Sequence, residues 1–407
     1  MTKDDTPKIP NDLLRHEREK RGWSQSRLAE LIGADTGMIS RWECGDRKPA
    51  QFYQEKLCDL FGKNAVELGL IEQQKNTEST QPSLTSLAAH EEIEDKLDHA
   101  ESFIDLAWAA WFASRPKEAA RSVSRLLPSL EKIAYGLYQS GYTLRAKELT
   151  VRAHGLLGTI SLDALQNDTA LFHYMQAHRF AEEIHDVNLA ATYLCLIGDV
   201  LRRQNDQTGA LKRMEQARDS ATHASNTTRG HILQLLAYTY GDIKQEAAFE
   251  RTIAEATDLL AYSGEGIDTA QKEFIPFEIY EIRGKVYRDL GKPLDALPYL
   301  ELAEKSLATA DSITPRWHAL LEISRAQACC DAGNIPTGID LACKGFIMAY
   351  QCHSPRQMNR VRKLLRKLEK SPFRHHPRVQ DLKDLLYEMY MRMTSDDSPA
   401  NLLHSPL

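Results

Sequence analysis

The sequence predicts an all-α protein made of a small helix-turn-helix head followed by a long array of helix pairs. Three observations carry that reading. Cap and stop residues crowd residues 11–70, apolar residues recur at i, i+3, i+4 and i+7 from Glu91 to Met393, and small residues return at fixed offsets within that second stretch. A chain of 407 residues has room for roughly two to four domains or one repeat array. Residues 71–90, with the polar run from Glu72 to Ser83, read as a linker between a head at 11–70 and an array at 91–393. Residues 1–10 read as a flexible arm and 394–407 as a disordered tail.

In the head, Leu14 and Arg18 open a first helix that ends near Gly22 and Trp23. Ser24 is placed to cap a second helix, Gln25 to Ile32, because its hydroxyl can accept from the free amides of the first turn. Gly33 stops it, Asp35 caps a third helix from Thr36 to Cys44, Gly45 ends that one, and Pro49 prevents its continuation. Two short helices joined by so brief a turn are a helix-turn-helix, whose second helix enters the DNA major groove.

The wording from Ser24 to Pro49 resembles the Cro/phage-repressor (xenobiotic response element) family at Gln25, Leu28, Ala29, Gly33, Ile39, Ser40, Trp42, Glu43, Gly45 and Pro49. That resemblance implies a five-helix, lambda-repressor-like domain that binds double-stranded DNA, with Phe52 to Phe61 as fourth helix and Ala65 to Leu70 as fifth. Asn64 and Glu67 would give the fifth helix a capping box. It also implies that Arg18 pairs with Glu43, bracing the first helix against the third. Gln25, at a helix N-terminus, is placed to meet a phosphate. Thr36, Gly37, Ser40 and Arg41 occupy the outward face of the recognition helix; Arg41 can fork onto guanine or hold a phosphate, and Gly37 offers no side chain for base reading. Arg47 and Lys48, in the following loop, suit backbone contact or are ordinary solvated charge. Residues 11–62 hold nine Lys+Arg and nine Asp+Glu, so one neutral head should bind weakly and a homodimer should compensate.

In the array, Gly198, Leu201, Ala210, Met214 and Ala217 share offsets with Gly284, Tyr287, Ala296, Leu300 and Ala303. These are tetratricopeptide offsets, and the small residues mark where paired helices cross most closely. Asn205 and Gly291 fall at the turns, where a left-handed backbone is cheapest. Weaker copies run through Ala107 and Ala119, Gly158 and Ala170, Ala237 and Phe249, and Ala326 and Gly338, with two registers open over residues 130–165. The anchors Gly158, Gly198, Ala237, Gly284 and Ala326 are 40, 39, 47 and 42 residues apart. The standard unit has about 34, so helices or loops are elongated into a tetratricopeptide-like α-solenoid with a concave groove.

A Cro-type head joined to such an array is similar in layout to the peptide-responsive Rgg/PlcR/PrgX-type regulators of Gram-positive bacteria. By that resemblance the protein is a bacterial transcription regulator whose array dimerises and senses a peptide or protein effector. Counting outward positions along the first helix of each pair places Asp199, Arg202, Gln234, Tyr238, Glu281, Lys285, Arg288 and Gln327 on the groove, either as effector contacts or as salt links between repeats. The alternative is a scaffold for a protein partner, with the head as DNA tether or dimer module.

Composition narrows the remaining classes. The net charge of −6 confines any nucleic-acid surface to a local patch. Seven cysteines without a C-x-x-C pair fit a reducing cytoplasm, and no signal segment or apolar run suggests a membrane. No phosphate-cradling G-x-x-x-x-G-K, H-E-x-x-H or G-x-S-x-G occurs, so neither cofactor, metal nor enzyme activity is expected. Trp108 and Trp111 read as core. The basic run from Arg356 to Lys367 reads as the solvated face of an amphipathic helix.

Overall fold

The computed structural model describes residues 11–63, 65, 67–70, 84–136, 138–263, 266–268, 270–309 and 315–396. It divides into two compact units, Met1–Leu84 and Thr85–Leu407.

The first unit follows its capping residues. Helix α1 (Asp12–Lys20) starts at Asn11, whose side-chain Oδ1 accepts the Leu14 amide, while its side-chain Nδ2 donates to the Leu68 and Gly69 carbonyls. Ser24 caps α2 (Gln25–Ile32) by accepting from Arg27, and Gly33 closes it in the left-handed region at φ +68°. Asp35 caps α3 (Thr36–Glu43), and α4 spans Gln51–Phe61. Leu14, Leu28, Ile39 and Leu57 are fully buried around Trp42, since each helix turns its apolar stripe inward. The expected fifth helix is corrected: residues 65 and 67–70 form turns, and Leu68 and Leu70 reach the core from them. Its expected cap, Asn64, lies outside the described residues, as do the arm at 1–10 and residues 397–407 of the expected tail.

Among the described residues the second unit forms seven successive helix pairs. They are α5 (Leu84–Phe112) with α6 (Pro116–Ala134), α7 (Ser140–Asp163) with α8 (Asn167–Glu183), α9 (Val187–Arg203) with α10 (Gln207–Ser220), and α11 (Asn226–Asp242) with α12 (Glu246–Ser263). Then come α13 (Pro276–Asp289) with α14 (Pro293–Thr309), α15 (Pro315–Asp331) with α16 (Ile335–Gln351), and α17 (Pro355–Glu369) with α18 (Pro377–Asp396). Helix α5 thus begins inside the expected linker and α18 runs into the expected tail.

The reading of this half as helix throughout needs one correction. Between α12 and α13 the chain forms a short antiparallel hairpin, β1 (Gly266–Ile267) and β2 (Glu273–Phe274), with Gly266 opposite Phe274. It occupies the widest anchor interval, from Ala237 to Gly284, so that extra length is an inserted hairpin and not longer helices.

Small residues lie where the pairs cross. A Cβ on Gly198 would stand 2.7 Å from Met214 Cγ and 3.1 Å from the Ala210 carbonyl oxygen; one on Gly284 would stand 2.6 Å from Leu300 and 3.3 Å from the Ala296 carbonyl oxygen. Because the obstacle includes backbone, relaxation requires the helices to part. Gly198→Val is therefore expected to destabilise the array by about 1–3 kcal/mol, read as a lowered urea midpoint with unchanged slope.

Candidate functional site

Beneath the head's outer face lies a buried polar clamp. Arg18 donates from Nε to Glu43 Oε1 at 2.6 Å and from Nη2 to Oε2 at 2.9 Å, while its Nη1 reaches the Trp23 carbonyl at 2.7 Å. The Gln25 side-chain amide donates to Glu43 Oε2 at 2.8 Å, so one carboxylate ties together α1, α2 and α3. Burial pushes the Glu43 carboxyl up, but the hydrogen bonds and charge of Arg18 and the Gln25 bond outweigh it and hold the group below its ordinary value.

Above the clamp, Thr36, Gly37 and Arg41 are exposed and Ser40 is half-buried. Arg41 donates from Nε to the Gly37 carbonyl at 3.0 Å, which sets its guanidinium along its own helix with the remaining N–H groups outward. Gln25 keeps one amide hydrogen beyond the one given to Glu43. Arg47 and Lys48 are exposed in the loop after α3.

In the array, the groove positions form a ladder across successive first helices. Arg202 donates to Asp199 at 2.7 Å within α9 and to Asp242 of α11 at 2.5 Å. Tyr238 lies between two cations, with Arg202 Cζ 4.2 Å and Lys285 Nζ 4.3 Å from its ring centre. Lys285 pairs with Glu281 at 3.2 Å, Glu281 accepts from Ser324 at 2.5 Å, and Gln234 donates to Glu278 at 2.5 Å. Arg288 and Arg360 both donate to Gln327. Asp199, Arg202, Gln234, Glu281 and Lys285 are buried, whereas Tyr238, Arg288 and Gln327 are half-buried. Burial pushes the Asp199 carboxyl up, yet the charges of Arg203 and Arg202 outweigh that and hold it far below its usual range. The same burial, with the charge of Arg356, pulls Arg203 down to about 10.

The array also winds back on itself. Asp163, at the end of α7, accepts from Arg316 of α15 at 2.8 Å and from Ser354, the cap of α17, at 2.7 Å. Two cavities flank this seam. One of about 480 Å³ is lined by Ile160, Ala164, Tyr350 and Met358 among others. The other, about 210 Å³, is walled by Trp108, Trp111 and Trp317 and carries Lys272, Arg316 and Arg356.

Sequence reasoning missed several of these groups. Lys272 sits on the unforeseen hairpin, held in place because the buried Asp268 carboxylate accepts the Ala270 and Lys272 amides and the Thr192 hydroxyl. The basic run on α17 is not wholly solvated: Lys363, Arg366 and Lys367 are exposed, but Arg360 reaches Ser324 and Gln327, and Arg356 lines the smaller cavity. An i, i+4 spacing from Arg356 to Arg360 was the available signal. Trp108 and Trp111 are buried, as core residues should be, yet they also border that cavity.

Residues 14–68 match the helix-turn-helix family model, and a helical-repeat array follows that domain. None of the curated proteins compared matches the chain. Among solved structures, a Rap protein complexed with competence and sporulation factor is 13% identical, with 74% of this chain and 93% of that chain covered at a TM-score of 0.45. Bacillus thuringiensis PlcR in complex with the peptide PapR7 and DNA is also 13% identical, over 74% of this chain and 95% of that one, at 0.39. Aspartyl phosphate phosphatase F from Bacillus subtilis is 13% identical over 86% and 96%, at 0.45. Among the described residues no helix is long and apolar enough to cross a membrane, and no cluster of His, Cys, Asp and Glu is arranged to hold a metal.

The clamp generates a prediction with a definite sign. Glu43 has a folded value below its unfolded one, so its contribution is present above the unfolded pKa and is lost as pH falls through the folded one. Arg18→Ala leaves a buried carboxylate short of its main partner and should cost about 3–5 kcal/mol at neutral pH. Only the Gln25 hydrogen bond and the Arg15 charge, 3.7 Å away, then offset burial, so the downward shift of the Glu43 carboxyl is lost in large part. The variant's deficit should shrink as pH falls through the acid range in which the wild-type Glu43 carboxylate takes up its proton, measured by urea unfolding.

Proposed function

We propose that the chain is a cytoplasmic, sequence-specific transcription regulator that lays α3 in the major groove of double-stranded DNA. The observation that carries this reading is the clamp itself, which fixes α3 from beneath and leaves its outer face to solvent. Thr36, Gly37, Ser40 and Arg41 face the bases, while Gln25, Arg47 and Lys48 meet phosphates. The array dimerises the protein and receives a peptide or protein effector along the ladder. Its half-buried members Tyr238, Arg288 and Gln327 are those an incoming chain can reach.

A second reading, a scaffold tethered by its head, is favoured by the way the ladder groups already pair with one another. A gel shift on the protein's own upstream DNA separates the two. Addition of extract that supershifts the band favours a protein partner, and one that releases or tightens it favours a diffusible effector.

Arg41→Ala should weaken specific binding by about 1–3 kcal/mol at fixed salt without changing the unfolding midpoint. Unchanged operator affinity would remove Arg41 from the interface. Residues 1–75 alone should bind DNA less tightly than the full chain by about 10²–10⁴, since a neutral head loses the second copy's contacts. Equal affinity, measured by fluorescence anisotropy, would show that the array does not supply the dimer.

A further inference from the structure

The cavity of about 210 Å³ beside the seam has a composition that the ladder does not explain. Its lining brings three cations, Lys272, Arg316 and Arg356, against two carboxylates, Asp163 and Glu278. Both carboxylates are engaged: Asp163 takes Arg316 and Ser354, and Glu278 takes Gln234. Lys272 donates only to the Thr159 hydroxyl, at 2.8 Å, and neither it nor Arg356 has a carboxylate within ion-pair distance among the described residues. Two donors of residues lining the cavity, the Trp108 indole N–H and Arg316 Nε–H, are buried without an acceptor among the described residues. Buried donors in this state are costly, and the half-buried Lys272 and Arg356, which feel the Asp268 and Asp199 carboxylates only beyond ion-pair distance, have N–H groups left to give an anionic acceptor.

The walls restrict the rest of the ligand. Trp108, Trp111 and Trp317 supply broad apolar faces, and Arg316 Cζ already covers Trp111 at 3.9 Å. The volume lies below the roughly 300–1,000 Å³ of sites for drug-sized molecules, so it admits one side chain and its charged group. We propose that this cavity binds a small carboxylic acid bearing one aromatic or branched apolar group, with Lys272 and Arg356 pairing the carboxylate and the tryptophans enclosing the apolar part. Its occupant touches α5, α7, the hairpin, α15 and α17 together, and so bridges the two ends of the array. This site goes beyond the DNA reading and stands independently of it.

Three of the chain's five tryptophans line the cavity, so intrinsic fluorescence of the full-length protein reports occupancy directly. The probes are N-acetyl-phenylalanine, its neutral amide, and a five-residue peptide ending in phenylalanine with a free or an amidated C-terminus. The free acid should change the fluorescence saturably below about 1 mM, and its amide should bind at least about tenfold more weakly. Lys272→Met and Arg356→Gln should each reduce affinity for the acid by about tenfold, while Lys363→Gln on the exposed face of α17 leaves it unchanged. Circular dichroism melts establish that each variant is folded before its titration is read.

If the free-acid peptide binds more tightly than the single residue, the occupant is a peptide terminus; if only the single residue binds, it is a free small acid. No saturable signal, equal binding of acid and amide, or equal competition by inorganic phosphate overturns the proposal. Gel shifts on the upstream DNA run in parallel keep the two readings apart. Acid binding without DNA binding sinks the regulator and spares the cavity, and the converse sinks the cavity alone.

Discussion

Two helices approach closely only where one of them lacks bulk, and this steric limit sets the spacing on which the array depends. Within pairs, Gly198 faces Ala210 and Met214, and Gly158 faces Tyr174. Between pairs the same device recurs: a Cβ on Gly155 of α7 would meet Tyr193 of α9, and one on Gly241 of α11 would meet Val286 of α13. The first helices of successive repeats therefore pack directly on one another. That closeness is what lets Arg202 reach Asp242 and Glu281 reach Ser324, so the polar ladder is a consequence of the apolar packing beneath it.

The ladder's energetics point to specificity more than to net stability. Moving Asp199 and Arg202 out of water costs several kcal/mol for each ion, which their mutual attraction only returns if hydrogen bonds satisfy the remaining groups. They do here, since Asp199 accepts from both Arg202 and Arg203. A one-residue slip of α9 against α11 would strand Asp242 from Arg202 while leaving much of the apolar contact intact. The ladder thus selects register where packing alone would tolerate neighbouring ones. It also concentrates charge inside the array, where low polarizability magnifies the effect of any added anion.

Where the sequence could be read, a local stereochemical demand was visible in a single residue. Ser24, Gly33 and Asp35 fixed the ends of α2 and α3 because caps and left-handed stops act within one turn. Asn205 and Gly291 marked two repeat turns, and both have positive φ, at +66° and +79°. Ser114, Leu165, His185, Lys244 and His353 take the same left-handed conformation at other turns and gave no such signal, because the backbone hydrogen bonds that close those helices, such as Gln166 N–H to the Ser161 carbonyl, impose it on whatever residue stands there. The fifth helix failed for a related reason. Asn11 holds the Leu68 and Gly69 carbonyls from outside, and Gly69 itself has φ +64°, so the segment is tied as a turn. The hairpin was hidden because two-residue strands carry no periodicity, although Phe274, buried against Gly230, was the residue it needed. At the candidate sites, the head's outward residues followed from helix phase. Lys272, Arg316 and Arg356 did not, since their placement depends on contacts with a distant helix, α7, as with Lys272 and Thr159 at a separation of 113 and Arg316 and Asp163 at 153.

Repeat arrays are usually governed by nearest-neighbour contacts, so a disturbance fades within a repeat or two. The seam at Asp163 breaks that rule, because it joins α7 to residues 153 and 191 positions later. Its chemistry differs from that of the repeats it connects. The apolar cluster that includes Leu156 and Leu162 is separate from the one that includes Val361 and Leu364, so hydrogen bonds and an ion pair close the seam where elsewhere hydrophobic cores join the helices. A cavity of about 480 Å³ beside those bonds further reduces the dispersion contacts that would hold it shut. A closure made of so few polar contacts, beside a cavity, leaves little apolar contact to oppose its local opening. A ligand of the kind proposed for the smaller cavity would touch α5, α7, α15 and α17 at once, and would add to the seam the contacts between distant repeats that its own few polar bonds supply only sparsely.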